Sequence, residues 1–225
     1  MMMDPTFIIL IPAMLLSMYA QFKVSSTFAK YSQTRNRRGV TGAAVAQELL
    51  SANGIHDVSV EHVKGNLTDH YDPRTRTVRL SDSVYNSTSL AALGVAAHEV
   101  GHAMQHNVGY VPLALRSSIV PAANIGTRLA WPLILIGMFL SIYDLIWVGV
   151  ILFSFSVVFY VVTLPVEFNA SSRATEMLVY NRILEPDEVG PAKKVLSAAA
   201  LTYVAAAIVA VMQLLRFVLM FSRRR

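Results

Sequence analysis

The stretch SLAALGVAAHEVGHAMQH, residues 89–106, decides how the polar part of this chain folds. It predicts a helix, because its leucine, valine and alanine residues form an apolar side and a hydroxyl residue at 87–89 can cap its N-terminus. His98 and His102 lie four positions apart in this helix. Their side chains therefore project from one face, about one turn apart, and can bind a single cation.

The five residues from His98 to His102 read HEVGH, an HExxH motif. Zn²⁺ accepts two imidazole ligands readily, and a catalytic zinc site adds one more protein ligand and keeps one position for water. Glu99 is placed to take a proton from that water as general base and to return one to the leaving amine. The motif therefore predicts a hydrolytic zinc site in which Glu99 is catalytic.

A third zinc ligand has to come from elsewhere in the chain. His106 lies one turn beyond His102, but it is ~12 Å along the helix from His98, which is too far for one ion to bind all three. The metzincin spacing is also absent, because Gln105 and Val108 stand where it has glycine and histidine. We interpret His106 as a polar residue at the helix end.

Glu167, Asp69 and His70 are the remaining candidates for the third ligand. Glu167 follows Leu164-Pro165, just after an apolar run. Proline at a helix start would place Glu167 in the first turn of a new helix. The helix dipole favours an acid at that position even without a metal. We favour Glu167 and keep Asp69 and His70, which lie in a predicted turn, as alternatives.

Hydrolysis of an amide also needs a group that stabilises the charge on the carbonyl oxygen, beyond what zinc supplies. Arg173 is a candidate because it follows Glu167 on the same predicted helix. Tyr203, early in the last apolar run, is the second candidate. Both residue types also occur as ordinary surface or interface residues at a membrane boundary.

The segment before the motif predicts a small α+β arrangement. Residues 40–51 read as a helix that stops at Asn53-Gly54. Residues 57–63 and 76–80 alternate apolar and polar side chains and read as two strands that form a β-hairpin. The strand at 76–80 is the candidate edge strand that would pair with an extended substrate.

The composition predicts a membrane protein. Of the 225 residues 54% are hydrophobic and 15% are charged, and the mean hydropathy is +0.48, which excludes a disordered chain. We expect a mainly α membrane protein with about four transmembrane helices and a small α+β catalytic lobe. The predicted parts of this single membrane-integrated domain are a span at 7–22, the catalytic lobe with the HExxH helix at 23–118, hairpin spans at 119–164, the third-ligand segment at 165–197 and a span at 198–221.

The positive charge indicates an orientation. The net charge is +5, and five basic residues follow the first predicted span, whereas none precedes it. By the positive-inside rule the catalytic lobe is cytoplasmic, although four spans would put Arg223, Arg224 and Arg225 outside. Because the basic residues flank apolar runs, we expect no nucleic-acid partner. The chain has no cysteine, so metal ligands must be histidine, aspartate or glutamate.

Three blocks of the sequence resemble one known family. The run VAAHEVGHAMQH, with LTDHYDP and VRLS upstream and LPVEFNAS downstream, resembles the YugP-type neutral zinc metallopeptidases, which are bacterial membrane proteins. The resemblance covers most of residues 5–215. More distantly, HExxH followed by E-F-x-A is similar to the HtpX-like and CAAX-prenyl membrane peptidases, in which the second glutamate binds zinc. Those proteins usually have aspartate four residues later, where Ser171 stands here.

The resemblance implies a zinc-dependent endopeptidase with one Zn²⁺ per chain, bound by His98, His102 and Glu167. It implies a multi-pass protein of the bacterial inner or plasma membrane. Its partners would be a protein or peptide substrate, membrane-proximal or unfolded, the lipid bilayer, and a regulatory membrane protein.

Two other functions compete with this one. A site-2-like intramembrane protease also uses HExxH, but it would need the motif inside a span, and the polar residues on both sides of the helix make it a poor span. A non-catalytic membrane scaffold with a structural zinc ion would normally have four protein ligands, often cysteines.

Overall fold

The computed structural model describes residues 5–222. The predicted basic tail, Arg223 to Arg225, lies outside the described residues. In chain order the elements are a 3₁₀ segment (Pro5–Ile9), α1 (Leu10–Ser32), α2 (Gly42–Ala52), β1 (Ser59–Val63), β2 (His70–Asp72), β3 (Thr77–Ser81), α3 (Leu90–Asn107), α4 (Val111–Leu140), α5 (Tyr143–Tyr180) and α6 (Pro186–Ser222).

The chain divides into two compact units. The span unit comprises the described residues up to Gln21, Ala114–Leu164, and the described residues from Thr202. The lobe comprises Phe22–Leu113 and Pro165–Leu201. Four helices, α1, α4, α5 and α6, contribute residues to both units.

Four helical segments in residues 5–222 are long and apolar enough to cross a membrane: Thr6–Ser32, α4, α5 and α6. The prediction of a mainly α membrane protein with four spans and a small α+β lobe is confirmed. The predicted hairpin spans correspond to α4 and to the first part of α5, since α4 ends at Leu140 and α5 begins at Tyr143. The first arm starts at Val111, earlier than predicted, because Pro112 suits the first turn of a helix and Gly109 at φ 63° ends α3.

Within the span unit, α4 and α5 approach each other closely. A Cβ atom on Gly149 would lie 2.9 Å from the Ala130 carbonyl oxygen, so this contact requires glycine. Next to it Ile134, Ile146, Phe153 and Phe217 form an apolar core together with other buried residues of the same unit, and Phe217 contacts Phe153 edge to face at 5.5 Å. Small residues allow this kind of packing in membranes, where no hydrophobic force drives helices together.

In the lobe, α2 packs against α3, and a three-stranded sheet lies next to both helices. The strand order is β1-β3-β2, with β1 parallel and β2 antiparallel to β3. The predicted β-hairpin between residues 57–63 and 76–80 was wrong, because the corresponding strands β1 and β3 run parallel. The antiparallel pair is formed by β2 and β3. The prediction of residues 76–80 as an edge strand was wrong, because β3 is central and β2 forms the edge next to α3.

The predicted helix of the HExxH motif is α3. Ser89 caps it, accepting a hydrogen bond from the Ala92 amide at 3.2 Å. Leu90, Leu93 and Val100 are at most 2% exposed, and each contributes about 1.5–3 kcal/mol relative to an exposed side chain. This burial holds α3 firmly in the lobe core, so that the residues on its other side are presented from a rigid element.

The predicted helix start at Pro165 was wrong. Pro165 does not begin a new helix, because α5 continues without interruption from Tyr143 to Tyr180. Proline removes one backbone donor from the helix interior, but no glycine or other stop signal accompanies it before Asn181. The result is that Glu167 lies inside a long helix and not in a first turn.

Candidate metal centre

α3 presents two histidines on one face. Val100 and the other apolar residues of the helix point into the lobe core, which leaves His98 and His102 half-buried on another side. Their ring centroids are 4.7 Å apart and the rings meet edge to face. The spacing of four residues therefore produces the side-by-side imidazoles that the motif predicts.

α5 adds a carboxylate to this pair. Glu167 Oε2 lies 3.2 Å from His98 Nε2 and 3.5 Å from His102 Nε2. One ligand atom from each of the three residues lies within 4.8 Å of the others. Glu167 is 2% exposed, and a buried carboxylate is costly unless it is paired or binds a cation. Among residues 5–222 this is the one group of histidine and acidic side chains close enough to hold a metal ion.

The charge around His102 favours a cation. Burial alone lowers the pKa of His102, but its contact with the Glu167 carboxylate and the nearby charge of Glu99 raise that pKa above its ordinary value. Two imidazole nitrogens and one carboxylate oxygen are a donor set that catalytic zinc sites use. The residues present therefore fit a zinc ion.

Glycine at position 101 allows the two ligand-bearing helices to approach. A Cβ atom there would lie 2.7 Å from the Ala170 carbonyl oxygen and 3.3 Å from the Ala170 Cα atom. The backbone of α3 therefore touches the backbone of α5 between the two histidines in sequence. Because Glu167 precedes Ala170 by one turn, this contact sets the distance from the carboxylate to the histidines.

Gln105 fixes the orientation of His102. Its Nε2 atom donates to the Val166 carbonyl oxygen at 2.8 Å and to Asn169 Oδ1 at 3.0 Å, so its Oε1 atom faces His102 Nδ1 at 3.0 Å. An amide oxygen can only accept, which requires the proton of His102 to be on Nδ1. The Nε2 atom of His102 is then free to bind a metal.

Ser171 contacts the Nδ1 atom of His98, as Gln105 contacts the Nδ1 atom of His102. Its Oγ atom lies 3.2 Å from His98 Nδ1. With the proton on Nδ1, the hydroxyl accepts a hydrogen bond and the Nε2 atom faces Glu167. The serine hydroxyl thus contacts the ring nitrogen of His98 that does not face Glu167.

Glu99 is buried next to His98, at 7% exposure. No hydrogen bond or ion pair joins its carboxylate to another of the described residues. A buried carboxylate that is not used by the protein can accept a proton from a bound water molecule.

The two residues that were predicted to stabilise the charge on the substrate's carbonyl oxygen belong to different units. Arg173 is half-buried on α5, and its Nε atom donates to Asn169 Oδ1 at 2.8 Å, the same atom that Gln105 contacts. Arg173 is therefore connected through two side chains to His102. Tyr203 lies on α6 within the span unit.

The alternative third ligands have other contacts. Asp69 accepts hydrogen bonds from the Ser81 amide at 2.7 Å and the Ser81 hydroxyl at 2.9 Å, which fixes the end of β3. Burial raises the pKa of Asp69, although these two donors oppose the shift. His70 is exposed, with its Nδ1 atom 2.9 Å from the Thr68 carbonyl oxygen. Glu167 is the acid that lies beside the two histidines.

The sequence analysis did not identify Gln105 and Asn169, which are connected by hydrogen bonds to His102, or the contact between Tyr71 and His106. Gln105 lies three residues after His102 on the same helix face, which is a readable signal. Asn169 had no such signal, because its partner Gln105 is far away in sequence. The same holds for Tyr71, whose hydroxyl lies 2.8 Å from His106 Nδ1, so the predicted polar residue at the helix end ties α3 to β2.

The geometry agrees with comparisons to known proteins. The model of a family described as "Putative neutral zinc metallopeptidase" matches residues 6–222. The chain belongs to this family, which confirms the resemblance. It is 52% identical over 215 residues, 96% of each chain, to the "Putative membrane protease YugP" of Bacillus subtilis (strain 168). No solved structure matches the chain.

Proposed function

We propose that this protein is a membrane-embedded, zinc-dependent endopeptidase of the gluzincin type that cleaves membrane-proximal or unfolded proteins. The observation that carries the proposal is the meeting of His98, His102 and Glu167 from two helices, with ligand atoms within 4.8 Å. Membership of a zinc metallopeptidase family and the four candidate spans support the coarser part of the proposal.

Each residue has a role in this proposal. His98, His102 and Glu167 would hold one zinc ion per chain, which would act as a Lewis acid towards the scissile carbonyl and the attacking water. Glu99 takes the proton of that water and passes it to the leaving nitrogen. Gln105 holds His102 in the tautomer that leaves Nε2 free.

Two further residues, an edge strand and the setting in the membrane complete this proposal. Arg173 and Tyr203 are proposed to stabilise the charge on the carbonyl oxygen. An extended peptide would pair with the free edge of β2, which contacts α3. The whole chain acts as one metallopeptidase domain in the bacterial plasma membrane, with the lobe on the cytoplasmic side and a regulatory membrane protein as a further partner.

The competing functions have less support. Helix α3 is not among the four candidate spans in residues 5–222, whereas a site-2-like protease needs its HExxH motif inside the membrane. The metal-binding group in the described residues has three protein ligands, one fewer than a closed structural site.

The test separates zinc binding from cleavage. The full chain in detergent is compared with Glu99→Gln, using an unfolded reporter protein as substrate and zinc content as a second readout. We expect one zinc ion per chain in both proteins and a 10²–10⁴-fold slower cleavage by the variant, the usual contribution of a general base. Glu176→Gln, an exposed acid on α5, is the matched control and should cleave normally. Cleavage by Glu99→Gln at the rate of the unchanged protein would refute the role of Glu99.

A further inference from the structure

A cleft in the lobe lies between the last turns of α1 and the early part of α6. Its volume is about 510 Å³, and three lysines line it: Lys23 and Lys30 from α1 and Lys194 from α6. All residues that line it belong to the lobe. It is separate from the zinc-ligand group, with which it shares no residue.

The three lysines form an uncompensated positive cluster. No carboxylate of residues 5–222 lies within 4.0 Å of their ammonium groups. Two arginines of the lobe differ in this respect, since Arg37 pairs with Asp187 at 2.7 Å and Arg38 with Glu48 at 3.0 Å. Like charges that face one cleft repel each other, and an anion in the cleft relieves that repulsion.

Hydroxyl groups complete the lining. Thr27 and Ser197 line the cleft, and neither hydroxyl hydrogen-bonds to another described residue. Ser26 also lines it and donates to the Lys23 carbonyl oxygen at 3.2 Å. Ammonium and hydroxyl donors without any acidic side chain are a lining suited to phosphate, which offers several acceptor oxygens.

The cleft lies next to one end of the apolar run of α1 and one end of the apolar run of α6. Lys23 directly follows the apolar run 7–22 within α1, and Leu201, in the apolar run of α6, is also part of the lining. Lysines at this position attract anionic lipid headgroups. We propose that this cleft binds a phosphate group, and that the phosphate belongs to the headgroup of an anionic phospholipid.

The test uses the full chain in detergent and native mass spectrometry. Phosphatidylglycerol, zwitterionic phosphatidylcholine and soluble glycerol 3-phosphate are added separately at equal concentration. The test variant is the double substitution Lys30→Gln with Lys194→Gln. The control is Lys64→Gln with Lys193→Gln, which removes the same charge at two exposed lysines that do not line the cleft. Zinc content and thermal unfolding of each protein show that the fold is retained.

We expect the test variant to bind phosphatidylglycerol roughly 25-fold more weakly, about fivefold for each lysine, while the control binds it as the unchanged protein does. Phosphatidylcholine and glycerol 3-phosphate should be retained weakly by all three proteins. Equal retention of phosphatidylglycerol by the test and control variants would overturn the site. Lysine-dependent retention of glycerol 3-phosphate, with no preference among the lipids, would overturn the lipid as the source of the phosphate.

Discussion

The contact of Gly101 with Ala170 leads to a sharp prediction about the metal centre. In Gly101→Ala the new Cβ atom would lie 2.7 Å from the Ala170 carbonyl oxygen, whereas contacts shorter than 3.4 Å are rare. Because that oxygen belongs to a helix backbone, α3 and α5 must separate by roughly 0.7 Å. Metal–ligand distances tolerate only about 0.2 Å. Glu167, one turn from Ala170, would move away from the histidines by more than this.

The expected cost has two parts. Forcing a methyl group into a packed contact costs about 1–3 kcal/mol, and replacing glycine inside a helix regains up to about 1 kcal/mol. We therefore expect a free energy of unfolding lower by up to about 2 kcal/mol. Zinc affinity should fall at least tenfold, as it does when groups that orient metal ligands are lost.

Gly94→Ala is the matched control, since it makes the same change in the same helix. A Cβ atom on Gly94 would lie 3.6 Å from the nearest atom, the Ala192 carbonyl oxygen, which is an ordinary contact. This variant should be as stable as the unchanged protein or slightly more stable, with the same zinc affinity. Chelator competition and thermal unfolding measure both quantities. If Gly101→Ala binds zinc as tightly as Gly94→Ala, the helix contact does not set the ligand distance.

Two further predictions concern Gln105 and Asp72. Gln105→Leu should weaken zinc binding about 10–100-fold in chelator competition, because His102 loses the acceptor that fixes its tautomer, while Gln105→Glu keeps an acceptor and should retain more affinity. Unchanged affinity in Gln105→Leu would contradict this role. The Arg74 amide, the Arg79 guanidinium and the Thr75 hydroxyl lower the pKa of Asp72 from 3.8 to about 2. Its stabilising contribution is therefore complete above pH 4 and lost as the pH falls towards 2. Thermal unfolding at pH 5, 4 and 3 should show a smaller loss in Asp72→Asn than in the unchanged protein, and equal losses would refute the assignment.

The sequence predicted elements wherever local signals were strong. The helix of the motif was predicted together with a hydroxyl cap, and Ser89 is that cap. The long apolar runs predicted four spans because a span needs about 20 apolar residues and little else has that length. His98 and His102 were singled out by the HExxH motif, whose spacing of four residues places both on one face of a helix.

The errors came from non-local information. Alternation predicted β1 and β3 but not their pairing, because a three-residue strand such as β2 is too short to show a period. Its insertion next to β3 changed which strand forms the edge. Pro165 looked like a helix start, yet the apolar and polar segments on its two sides both favour helix and continue through it. Gln105 and Asn169 meet across 64 positions, and no local pattern indicates such a contact.

The shortness of β2 has a consequence for what an enzyme of this kind would select. A free edge of three residues spans roughly 10 Å and offers only main-chain hydrogen bonds. Such bonds require an extended substrate backbone, and they do not depend on the identity of its side chains. A compact, folded protein keeps its strands paired and has no segment to offer. Discrimination at this edge would rest on the conformational state of the substrate, so a protein would become vulnerable to cleavage at the moment it loses its native structure.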